Sequence, residues 1–250
     1  MKIFYFTSTG NNLHIAKRLG GQLYSIPKIL KEGPCEFEAD KIGIIFPCYY
    51  FGPQRLVEKF LKKVQLKTPY LFAIMSYGNF SAAGLNHFFH IARKSNIQLS
   101  YLNEILMVNN YLPIFDIEKQ IKNIPHKNIE ENLTKIIADI NASRKYIKKK
   151  GSLKTLATFF GQLFYGINVR RADKKFFIED TCNSCKTCEK VCPVDNIKVL
   201  EKPTFLHHCE ECLACIHHCP QNAIRLKNEK GSARFINENV SLREIITANS

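Results

Sequence analysis

The chain has 250 residues, 45% of them apolar, which suits two globular domains and excludes a disordered or fibrous protein. Its formal net charge of +14 is uneven, since residues 119–176 carry 14 basic and 4 acidic side chains and no basic and aromatic pattern of a recognised binding fold accompanies them; nucleic acid is not expected as a partner. No apolar run reaches the roughly eighteen residues of a spanning helix.

The opening Met1–Phe6 reads as a strand and not as a charged and apolar leader, so the chain is expected in the cytoplasm, where thiols stay reduced. Strand Lys2–Phe6 runs into Thr7-Ser8-Thr9-Gly10-Asn11-Asn12 and then a helix with Leu13, Ala16, Lys17 and Leu19 spaced for one packed face. Hydroxyls and successive N–H groups at a helix N-terminus can cradle a phosphate, and Gly10 permits close backbone approach. The same residue types also favour a plain capped helix start.

The apolar run Ile42–Phe46 reads as a buried parallel strand ending in Pro47-Cys48-Tyr49-Tyr50-Phe51-Gly52, with a helix from about Pro53. Tyr70–Met75 reads as another, ending in Ser76-Tyr77-Gly78-Asn79-Phe80 before a helix over Ser81–Lys94. Ligands of open α/β sheets lie beyond the carboxyl ends of the strands, so these three loops are expected to meet. Cys35 and Cys48 lie outside the pattern of the other eight cysteines; Cys48, in the first aromatic loop, reads as a small buried hydrophobe.

Residues 128–150 are expected to form the last helix of this region, with Ile129, Leu133, Ile136, Ile137 and Ile140 on its packed face. After Gly151-Ser152 comes an apolar, aromatic stretch, Leu153–Tyr165, between the basic clusters Lys148–Lys150 and Arg170-Arg171. Docking between two domains is the expected role. Two other readings are a helix lying on an anionic membrane surface and a basic patch that steers acidic partner proteins.

Eight of the ten cysteines fall in two copies of one spacing: Cys182, Cys185, Cys188 and Cys192 before Pro193, then Cys209, Cys212, Cys215 and Cys219 before Pro220. The offset of 27 residues also aligns Ile197 with Ile224 and Val199 with Leu226, so this is an internal repeat. Three cysteines at x2 spacing followed by Cys-Pro, twice, is the ligand pattern of two 4Fe-4S clusters. The fourth cysteine of each run serves the other cluster, which gives Cys182, Cys185, Cys188 with Cys219, and Cys209, Cys212, Cys215 with Cys192. Structural zinc also takes four thiolates, but usually from two separated Cys-x2-Cys pairs, and a disulfide framework suits a secreted chain. His207, His208, His217 and His218 read as polar surface near the second cluster. The tail, 229–250, carries no motif.

With these residues assembled, residues 1–150 resemble the flavodoxin family, with Thr7–Asn12 in the place of its phosphate loop and the two aromatic loops beside the flavin ring. The whole chain resembles the flavodoxin and ferredoxin fusion proteins of anaerobic bacteria; Asp173–Phe176 and Asn110-Tyr111 belong to that likeness. It implies a doubly wound parallel α/β domain over 1–150, a basic helical connector over 151–176, a small α+β bacterial ferredoxin domain over 177–228 and a tail. It further implies FMN held by Thr7, Ser8, Thr9, Gly10, Asn11 and Asn12, flanked by Tyr49, Tyr50, Tyr77 and Gly78.

Asn12 stands where the family has Thr or Ser, its amide being a substitute donor. Without tryptophan, ring stacking falls to Tyr49, Tyr50, Phe51 or Tyr77. Lys186 and Leu213 replace a customary glycine. The implied role is intracellular electron transfer with redox partner proteins, in which flavin handles electron pairs and clusters handle single electrons. Alternatives are a ferredoxin with a cofactor-free docking domain and a membrane-associated reductase component.

Overall fold

The computed structural model describes residues 1–33, 35–149, 151 and 153–249. Six parallel strands form one sheet: β1 (Lys2–Tyr5), β2 (Gln22–Ser25), β3 (Lys41–Pro47), β4 (Tyr70–Tyr77), β5 (Tyr101–Leu106) and β6 (Tyr146–Ile147). Their order is β2-β1-β3-β4-β5-β6, so the winding reverses between β1 and β3 and leaves a crevice at the carboxyl ends. β3 and β4 are buried over almost their whole lengths, which is why they read as unbroken apolar runs. Gly43 pairs in register with Phe72, and a side chain at 43 would occupy the Phe72 ring.

Two of the expected helices are shorter than their periodicity suggested. The helix after β4 covers Gly84–Lys94 and not Ser81–Lys94, because Ala82 takes a left-handed φ of 44°. The helix expected over 128–150 ends at Asn141. Ser143 turns the chain with φ of 53°, and Tyr146–Ile147 returns as the edge strand β6 beside β5. The tyrosine and isoleucine there suit a strand better than a continued helix.

The cysteine-rich segment repeats in three dimensions with the offset of its sequence. Strands Phe176–Ile178 and Pro203–Phe205, helices Thr187–Lys190 and Ala214–His217, and strands Ile197–Val199 and Ile224–Leu226 are each 27 residues apart. The pairings interleave: Ile197–Val199 meets Pro203–Phe205, and Ile224–Leu226 meets Phe176–Ile178, both antiparallel. Left-handed backbone recurs at Ser184 and Glu211, at Lys186 and Leu213, and at Asp195 and Asn222. Lys186 and Leu213, at φ of 61° and 60°, show why glycine is customary there: a side chain in that region costs roughly 1–2 kcal/mol.

Connector and tail join the two parts. The connector helix, Leu153–Asn168, lies against the turn after β3: Gln162 Nε2 donates to the carbonyls of Tyr49 (2.8 Å) and Tyr50 (3.0 Å), and Thr158 Oγ1 accepts from Ala83 N (2.9 Å). In the tail, Asn237 N donates to Thr9 O at 2.8 Å, and Asn249 Nδ2 reaches both Thr7 O (3.4 Å) and Val191 O (3.1 Å). The segment without a motif thus ties the loop after β1 to the residue beside Cys192. Among the described residues no helix is long and apolar enough to cross a membrane.

Candidate functional site

The loops after β1, β3, β4 and β5 converge at the crevice, and Glu211, Cys212 and Leu213 close it from the cysteine-rich side. They enclose a cavity of about 340 Å3, within the usual size for a small-molecule site. Thr7, Ser8, Thr9, Asn11 and Asn12 form one part of the wall, and Tyr49, Tyr50, Tyr77 and Gly78 another. Met107, Val108, Asn109, Ile114 and Phe115 also line it. Sequence reasoning passed over those five; their one signal is a position just beyond the carboxyl end of the fifth sheet strand.

Gly10 has φ of 99°, and a Cβ there would stand 2.9 Å from Asn237 Cβ and 3.1 Å from Val240 Cβ, so the backbone here closely approaches the tail. One N–H of Asn12 Nδ2 donates to Phe6 O at 2.7 Å, and one of Asn11 Nδ2 to Val108 O at 3.0 Å, which leaves each amide a second donor. The other donors here are hydroxyls and the N-terminal turn of the helix Asn11–Leu19. Thr7 Oγ1 accepts from Gly10 N (3.1 Å) and Thr9 Oγ1 accepts from Asn110 Nδ2 (2.7 Å), which leaves each O–H able to donate. Neutral donors at a helix N-terminus suit a phosphate dianion, so this donor set fits FMN without a lysine.

The aromatic turn is strained. Tyr50 and Phe51 both have left-handed φ, 47° and 65°, in a two-residue turn closed by Tyr49 N to Gly52 O (2.8 Å) and Gly52 N to Tyr49 O (3.0 Å). Such residues cost roughly 1–3 kcal/mol each and persist only when their surroundings fix them. Here the fixing groups come from the connector and the cysteine-rich segment. The Tyr165 ring stacks on Tyr50 with centroids 5.2 Å apart, and Tyr50 Oη lies 2.6 Å from Tyr111 Oη. Both hydroxyls donate to the Glu211 carboxylate, at 2.9 and 3.1 Å. Burial raises the Glu211 carboxyl above its ordinary range, and the two tyrosine hydroxyls oppose that rise. One face of Tyr50 is therefore spent on Tyr165.

Cys48 lines the cavity and is half-buried; its apolar surroundings push the thiol up to about 12, which keeps it protonated at neutral pH. Cys35 is also only half-buried, with its Sγ 3.1 Å from Gly33 O.

None of the ten cysteines is joined in a disulfide. Cys182, Cys185, Cys188 and Cys219 line one small cavity. Cys209, Cys212, Cys215 and Cys192 lie near enough to influence one another's ionisation, and Cys188 also acts on Cys215. Backbone donors are aimed at sulfur in matching places: Asn196 N to Cys192 Sγ and Ala223 N to Cys219 Sγ, both 3.2 Å and 27 residues apart. Glu211 N reaches Cys209 Sγ, also at 3.2 Å. Among the described residues no three His, Cys, Asp or Glu side chains close on a single metal ion. Thiols in fours with N–H groups turned toward sulfur are the donor set of an iron–sulfur cube.

Two histidines are not polar surface. His217 and His218 are buried and pin the parts together through Nε2, to Asn110 O at 2.8 Å and Ser8 O at 2.9 Å. Phe235 N donates to His217 Nδ1 (3.1 Å), so His217 is neutral with its proton on Nε2, and burial lowers it to about 3. His207 and His208 are exposed, as expected.

A 4Fe-4S binding domain matches residues 175–198, the first cysteine run with the strands on either side. Over 57 residues the chain is 42% identical to the B component of the ion-translocating oxidoreductase complex of Methanosarcina acetivorans. That stretch is 22% of this chain and 22% of that protein, so the chain spans less than a quarter of this relative. The chain thus contains a 4Fe-4S binding segment at the first cysteine run.

Proposed function

We propose that the protein passes electrons between FMN, held in the cavity of a flavodoxin-like domain, and two 4Fe-4S clusters. The observation that carries this reading is a shared wall: Glu211, Cys212 and Leu213 belong at once to the second cysteine loop and to the cavity lining. The hydroxyls of Thr7, Ser8 and Thr9 and the first turn of the following helix would hold the phosphate, and Tyr49 and Tyr77 would flank the ring. Cys209, Cys212, Cys215 and Cys192 would ligate the cluster beside the cavity, and Cys182, Cys185, Cys188 and Cys219 the farther one. Bound FMN exchanges electrons in pairs or singly, and each cluster one at a time.

What the chain itself contributes is order and insulation. Cys212 and Cys215, on the cavity side, are buried, whereas Cys185 is exposed. That sequence of burial gives an inner, water-poor site and an outer one reachable by a redox partner protein. The relative's name, a component of an oxidoreductase complex, agrees with transfer between proteins.

The test is flavin, iron and sulfide quantification on anaerobically purified chain incubated with FMN. About one flavin and about eight irons per chain are expected. Iron without flavin would remove the FMN half and favour a ferredoxin with a cofactor-free docking domain; zinc in place of iron would remove both.

A further inference from the structure

The connector helix uses only one side to dock. Thr158, Gln162, Tyr165 and Val169 face the protein, with Thr158, Tyr165 and Val169 buried. On the opposite side Leu156, Phe159, Phe160, Leu163 and Ile167 are 63%, 61%, 58%, 51% and 72% exposed. Their spacing of three, one, three and four residues puts them on one helical stripe, roughly 17 Å long at 1.5 Å per residue. Phe80, itself half exposed, lines the cavity and carries Lys154 Nζ 5.8 Å from its ring. Large apolar side chains in an unbroken exposed row mark a binding surface.

Charge identifies the occupant. Residues 140–172 contain eight lysines and arginines and no aspartate or glutamate. Two such segments laid face to face would repel, which disfavours a second copy of this chain. An apolar stripe framed by cations is the pattern of a helix that lies in the plane of an anionic bilayer, with its ring side chains among the acyl chains and its cations at the headgroups. We propose that the connector helix binds the chain to the surface of an anionic membrane through this exposed stripe. This inference does not depend on FMN, because neither the stripe nor the charge belongs to the flavin wall.

The test is flotation of the iron-loaded, anaerobically purified full chain with vesicles of phosphatidylcholine alone or mixed with phosphatidylglycerol. At least tenfold stronger binding to the mixed vesicles is expected at low salt, declining as salt rises. Phe160→Glu with Leu163→Glu should cut binding at least tenfold while leaving iron content and cluster absorption unchanged. A second variant, Lys149→Glu with Arg171→Glu, should remove the preference for phosphatidylglycerol and leave the apolar stripe intact. No flotation of the wild-type chain at low salt would overturn the proposal. So would undiminished binding of the Phe160 and Leu163 variant, or a wild-type dimer in solution that this variant dissociates without any wild-type flotation.

Discussion

The Tyr50 hydroxyl lies 2.9 Å from Oε2 of Glu211, so the strained turn after β3 is bonded directly to the loop between Cys209 and Cys212. Tyr111 completes the set at 3.1 Å from the other carboxylate oxygen. Hydrogen bonds to a charged acceptor are worth about 1.5–3 kcal/mol each, and removing the acceptor leaves two half-buried hydroxyls with only each other as partners. Glu211→Ala is therefore expected to destabilise the chain by about 2–4 kcal/mol. Glu211→Gln, which keeps an acceptor, should cost less than half as much. Thermal unfolding of the iron-loaded variants measures the difference, and equal melting temperatures for both variants and wild type would show that this seam does not hold the two parts together.

Gly161 allows the connector to press on the same turn. A Cβ at 161 would stand 2.6 Å from Tyr50 O and 2.7 Å from the Phe51 ring, and a backbone oxygen in a closed turn cannot retreat. Gly166, five residues on in the same helix, has nothing within 4 Å of its Cβ position. Gly161→Ala should therefore lose about 1–3 kcal/mol by overpacking, while Gly166→Ala gains up to about 1 kcal/mol from helix propensity. The opposite signs are read by denaturant unfolding; two shifts of the same sign would contradict this packing.

Much of this architecture was legible in the chain. β3 and β4 announced themselves as apolar runs because both faces of a central parallel strand are buried, and the cysteine repeat fixed its own offset because paired ligand loops must superpose. Periodicity failed where a single left-handed residue bounded a helix, delaying its start at Ala82 and closing its end at Ser143, since an alanine or serine carries little sign of such a turn. The tail contact of Gly10 was illegible for a different reason: a glycine permits close approach without naming what approaches, and here Asn237 comes from the far end of the chain. His217 and His218 were read as surface because their acceptors, Asn110 O and Ser8 O, lie about one hundred and two hundred residues away. The tail did hold one readable device, Ser241 followed three residues later by Glu244, the signature of a capped helix start.

Gly10 and Gly20 separate backbone strain from tail packing. Both have left-handed φ, 99° and 74°, but only Gly10 faces Asn237 and Val240, while nothing lies within 4 Å of a Cβ at Gly20. Gly20→Ala should cost roughly 1–3 kcal/mol from the backbone alone, since its φ of 74° with ψ of 174° is a region open essentially to glycine. Gly10→Ala should cost more and should also loosen the tail, seen as faster proteolysis in the residues beyond Lys230. If both variants lost the same stability and the tail stayed protected, the contact between Gly10 and the tail would carry no weight.

Glu244 makes tail anchorage depend on pH. Its Oε2 accepts from Ser241 N and Ser241 Oγ, both at 2.8 Å, and its Oε1 from Lys17 Nζ at 2.7 Å. The Lys17 hydrogen bond first, and the Ser241 N–H next, hold the carboxyl down from 4.5 to about 2. A carboxyl lowered in the folded state stabilises the fold fully above its unfolded pKa of 4.5, and the contribution fades as pH falls toward 2. Wild type should therefore unfold at a higher temperature than Glu244→Gln at pH 7, and the gap should narrow between pH 4.5 and 2. Acid destroys iron–sulfur clusters in both proteins alike, so the difference between them isolates the carboxylate. A gap that stayed constant across that range would mean the Lys17 and Ser241 partners do not hold the charged form, and would leave the tail fixed by Asn237 and Asn249 alone.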